Sequence, residues 1–117
     1  IASIQKDLTD KQAGYEKEAD TAFRKGDLKG AIILMKKALE INPENETLRG
    51  RMSTMLNELK KQMQTLYQEG VLEESVGEVE TAKAKWKKIL EHSLPEEDYY
   101  KKARTKMKKY GEAPNGS

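Results

Sequence analysis

Cysteine is absent from the 117-residue chain, and histidine, tryptophan and phenylalanine occur once each. No disulfide and no thiolate metal site can therefore form, which suits a reducing compartment and an expected cytoplasmic location. A lone His92 with scattered carboxylates offers no spacing suited to zinc, and no metal or cofactor is expected. Glycines stand singly as turn markers, so there is no phosphate-cradling loop. No stretch alternates with period two over a strand's length, and no run of about 18 apolar residues exists to span a bilayer. The start at Ile1 carries neither Met nor a signal-like segment, so the chain reads as a piece of a longer protein; Asn115-Gly116-Ser117 reads as a tail.

What is present is helix-forming and charged. Apolar and charged residues each make up 36% of the chain, enough for one thin core under a polar surface. Glu, Lys, Leu, Ala, Met and Gln dominate, which predicts an all-α fold. The formal net charge of +2 is too small by itself to argue for nucleic acid or membrane.

Helical spacing of Ile1, Ile4, Leu8, Tyr15, Ala19, Ala22 and Phe23 predicts a first helix to Arg24 or Lys25; a start after Thr9 or Asp10 is the alternative. Gly26-Asp27 closes it and caps the next. From Leu28 to Ile41, Ala31, Ile32, Met35, Ala38 and Leu39 share a face, and Asn42-Pro43 ends the helix. Between Glu46 and Glu74 no proline and only Gly50 and Gly70 intervene, so one long central helix of roughly 44 Å is predicted. Ser75 to Gly77 makes a turn before a helix to His92 with Ala82, Trp86 and Ile89 inward. Pro95 and the acids after it open a fifth helix ending at Gly111.

The intervals repeat. From Gly26 they are five residues to Ala31, four to Met35, three to Ala38 and five to Pro43; from Gly77 they are five to Ala82, four to Trp86 and three to Ile89, then Leu94-Pro95. A helical unit with one apolar face needs a stacked neighbour, the logic of an α-solenoid, and such chains bind other proteins. These residues resemble the tetratricopeptide repeat, a helix-turn-helix unit of 34 residues. One unit falls at 12–45, with Tyr15, Ala19, Gly26, Ala31, Met35, Ala38 and Pro43, and another at 63–96, with Leu66, Gly70, Gly77, Ala82, Trp86 and Ile89. The whole reads as a single tetratricopeptide-like domain over 1–111 with a tail at 112–117, in which 46–62 is an inserted helical extension and 96–110 a lysine-rich capping helix. A terminal helix of that kind faces water.

The extension opens the stack, so the two units are expected side by side along the long helix. The helix is then expected to expose Met52, Met55, Leu56, Leu59 and Met63, a stripe needing a cover. Three covers remain open: the segment with Ile1, Ile4 and Leu8, a homodimer or swapped dimer, or the rest of the parent protein.

By the resemblance, the first helix of each pair lines a partner groove, with Glu16, Asp20, Phe23 and Arg24 in one unit and Gln64, Tyr67, Gln68 and Val71 in the other. Chaperone-binding members carry lysine and asparagine where Glu16 and Asp20 stand, so the resemblance implies a basic or amphipathic helical ligand instead of a chaperone's terminal carboxylate. The functional expectation is a non-enzymatic scaffold or adaptor module of a larger signalling, motility or assembly protein, binding a protein or peptide. His92 reads as a surface or cap residue at a helix C-terminus, and Glu73-Glu74 and Glu96-Glu97-Asp98 as solvated helix ends, since adjacent residues on a helix diverge. The alternative is electrostatic. Residues 83–109 hold ten basic side chains against four acidic ones, a surface for nucleic acid or an anionic membrane, unless those lysines only solubilise the end of the array.

Overall fold

The computed structural model describes residues 2–112, with side chains from Lys6 onward, so Ile1 and the Ile4 side chain lie outside the described residues. Among these residues there are five α-helices and no strand: α1 Ala2–Arg24, α2 Leu28–Ile41, α3 Glu46–Ser75, α4 Val79–His92 and α5 Asp98–Lys109. α1 is one helix through Thr9 and Asp10, and α3 continues unbroken past Lys60, where Leu59-Lys60-Lys61-Gln62-Met63 offers no turn residue. The chain separates into two compact units, Ile1–Glu58 and Leu59–Ser117, with the division inside α3.

Each unit contains a glycine-acid turn. Gly26 takes φ +83°, open to glycine and strained for other residues. The N–H of Asp27 donates to the Ala22 carbonyl at 2.9 Å and that of Gly26 to the Phe23 carbonyl at 3.0 Å, which satisfies carbonyls left orphaned at the end of α1. Gly77, at φ +86°, ends α3 identically: Glu78 N–H donates to Glu73 at 2.8 Å and Gly77 N–H to Glu74 at 3.1 Å. The same closure ends α5 at Gly111-Glu112, with φ +76° and bonds to Met107 and Lys108 of 2.8 and 3.0 Å. Gly111 follows Gly77 by one 34-residue period.

In the first unit α1 packs along α2. Ala19, Ala31, Ile32, Met35, Ala38 and Leu48 are all fully enclosed. Methyl side chains at three of these positions let helix backbones approach, and Ile32 and Met35 then each gain about 1.5–3 kcal/mol by burial. Asp27 caps α2 by accepting from the Gly30 N–H at 2.9 Å, and Asn45 accepts from the Leu48 N–H at 3.1 Å at the start of α3.

In the second unit α4 packs on α5, and Ala82, Trp86, Ile89, Leu94, Ala103 and Met107 are buried. Gly70 on α3 lies against Trp86 so closely that a β-carbon there would stand 2.5 Å from the indole Nε1. Tyr110 also lies against the indole, stacked at 6.3 Å with 17° between the rings.

The expected exposed stripe on α3 is not there. Met55, Leu59 and Met63 are buried within the chain, and Met52 and Leu56 are half-buried. Steps of four residues hold 55, 59 and 63 on one side of α3.

Candidate functional site

The acidic pair on α1 is engaged internally. The Arg51 guanidinium, one unit-spanning reach away on α3, pairs with Asp20 and lies 3.6 Å from Glu16. A cation beside two carboxylates offsets one of their two charges, so the negative surface that pointed to a basic ligand at this place is reduced. Of the other α1 residues, Arg24 is exposed and Phe23 is 45% exposed, an aromatic face left to solvent. Leu8 is also exposed; with Thr9, Gln12, Ile41 and Asn42 it lines an open hollow in the same unit.

On α3 the second set diverges in the same way. Gln64, Gln68 and Val71 are exposed, while Tyr67 is drawn against α5. Its ring lies 5.8 Å from that of Tyr99, tilted by 51°. The Lys102 ammonium sits 4.9 Å from the Tyr99 ring centre and 5.9 Å from that of Tyr67, so two aromatic faces share one cation. Beside this pair a cavity of about 80 Å³ opens between α3 and the start of α5, lined by Leu59, Lys60, Met63, Ser93, Glu96, Glu97, Asp98 and Tyr99. Ser93 ends α4 and is 1% exposed, yet its Oγ has no hydrogen-bond partner. Glu97 occupies the N-cap of α5, but its carboxylate makes no capping bond.

Behind these residues a carboxylate hub fixes α5 to α3. Glu74 accepts from Lys106 Nζ at 2.6 Å, from Lys109 Nζ at 3.0 Å and from the Tyr110 hydroxyl. Hydrogen bonds from Lys106, Tyr110 and Lys109, in that order, hold its carboxyl down at about 2. The Glu74 bond in turn pushes Tyr110 and Lys109 upward. Nearby, Lys85 lies 3.4 Å from both Glu69 and Glu73, and Lys83 pairs with Glu80 at 3.1 Å and with Glu112. Four lysines of the basic segment 83–109 thus have carboxylate partners on α3, on α4 or beyond α5. Counting charge by blocks along the chain does not show this.

Sequence reasoning missed Arg51, Ser93, Tyr99 and Lys102. A signal existed for part of this: Asp98 and Lys102 stand one 34-residue period after Gln64 and Gln68, two of the expected groove positions. Among the described residues no three His, Cys, Asp or Glu side chains converge to hold a metal ion, and no helix is long and apolar enough to cross a membrane. A scan against family models and searches of curated proteins and solved structures find no match to this chain.

Proposed function

We propose that the chain is a tetratricopeptide-like, non-enzymatic interaction module of a larger cytoplasmic protein, and that its second unit binds a peptide or helical segment between α3 and α5. The observation that carries this reading is the juxtaposition of Tyr67 and Tyr99 beside a polar-walled cavity. Paired tyrosines next to a concave site supply the rigid, amphipathic contact area on which binding energy concentrates. The repeated glycine-acid closures of α1, α3 and α5, with Gly77 and Gly111 one repeat period apart, support the family resemblance. The electrostatic alternative loses ground, because Lys83, Lys85, Lys106 and Lys109 are held by carboxylates.

Selection of peptides from a random displayed library against the purified chain tests the reading. A convergent sequence should emerge whose synthetic form binds with a shallow salt dependence, and Tyr67→Ala should weaken it about tenfold or more. Enrichment of no sequence, or binding only to RNA or anionic vesicles with a steep logarithmic salt slope, would overturn it.

A further inference from the structure

We infer that the cavity between α3 and the start of α5 is a subsite for one cationic side chain, arginine or lysine, of a basic protein segment. The inference rests on the peptide-binding reading and adds the chemistry of the ligand. Its walls divide by character. Leu59, Met63 and the Tyr99 ring offer apolar surface for the methylene stem of a long basic side chain, while Glu97 and Asp98 offer carboxylates for its head.

Helix-dipole complementarity alone explains acidic residues in the first turn of α5. It leaves two observations unexplained. Ser93 lines the cavity and its hydroxyl is buried without a partner, and a buried polar group in that state calls for a donor or acceptor from elsewhere. A guanidinium brings five N–H donors in a planar fork, enough to reach a hydroxyl oxygen and a carboxylate together. Second, the adjoining tyrosine pair already holds a cation, the chain's own Lys102 ammonium. Lys102 is exposed, so it stands in for an incoming ammonium or guanidinium and can swing aside for one. Lys60 also lines the cavity and works against the ligand, as Lys102 does. Removing either should tighten binding, whereas removing carboxylates should weaken it.

The probe is Nα-acetyl-arginine amide, titrated into ¹⁵N-labelled protein, with the uncharged acetyl-citrulline amide as control. Saturable shifts are expected at the Ser93, Glu97, Asp98 and Tyr99 amides with the arginine compound alone. The Lys102→Ala variant should bind about threefold more tightly, as expected when one exposed cation–π competitor is removed. A Glu97→Gln, Asp98→Asn double variant should lose about tenfold, and a far-UV spectrum like that of the parent confirms its fold. Equal shifts with citrulline amide, or no saturation in either the parent chain or Lys102→Ala, would overturn the subsite. Because the probe is a single amino acid, that failure is separable from failure to select any peptide.

Discussion

The two units share a spacing of small and bulky residues but meet it with different chemistry. In the first, alanines admit the backbones, Ile32, Met35 and Leu48 fill the space, and Asp27 caps the turn. In the second, Gly70 joins the alanines Ala82 and Ala103 as a small residue, the largest filler is an indole, and Glu78 at the matching turn makes no side-chain cap. A glutamate is one methylene longer than an aspartate and suits the N-cap less well. The second unit is held instead by Glu74 and its three donors, Lys106 and Lys109 of α5 and Tyr110 just past its end. Periodicity therefore specifies where helices pack, while aliphatic burial in one unit and ion-aromatic clustering in the other specify how.

The contrast can be broken most forcefully at the indole. Trp86→Ala should cost about 3–5 kcal/mol in urea unfolding followed by far-UV dichroism. A loss below about 1 kcal/mol would mean that the second unit is not built on this side chain. Gly70→Ala comes next. Its better helix propensity would favour the variant, but the added carbon meets a rigid, enclosed ring, so a net destabilisation of about 1–3 kcal/mol is expected. A stabilised variant would show that the contact relaxes freely.

Glu74→Gln should remove about 1.5 kcal/mol. The effect also has a pH signature. With its folded pKa depressed from the ordinary 4.5 to about 2, Glu74 contributes fully above about 4.5, and its contribution is lost as pH falls from there toward 2. Acid titration of stability should thus be flatter for Glu74→Gln than for the parent in that window; parallel curves would remove the hub from the account. The smallest effect sharpens the first unit: Asp27→Ala should cost about 1 kcal/mol, and Glu78→Ala at the matching turn only a few tenths. Equal losses at the two turns would erase the distinction between them.

Much of this architecture was legible beforehand. Gly26-Asp27 and Asn42-Pro43 bracket α2 on both sides, and the want of a turn residue near Lys60 foretold the continuity of α3. What local patterns lack is information on partners distant in sequence. Arg51 reaches Asp20 across 31 residues and Lys106 reaches Glu74 across 32, so no window shows either pairing. The stripe from Met52 to Met63 failed for a related reason: a helical period identifies an apolar face but not what lies over it. The site was half legible, since Tyr67 stood among the expected groove residues while Tyr99 lay in the fifth helix, outside them. Gly111 was open to counting, but the lysines around it drew α5 into the reading of a cap.

The sole indole of the chain lies in the second unit, pressed on Gly70, stacked on Tyr110 and overlain by the Lys106 ammonium at 5.3 Å. Its emission is therefore a private report on one half of the molecule, whereas the helical signal at 222 nm sums both. Should the halves melt separately, the two optical traces will part company without any label being attached.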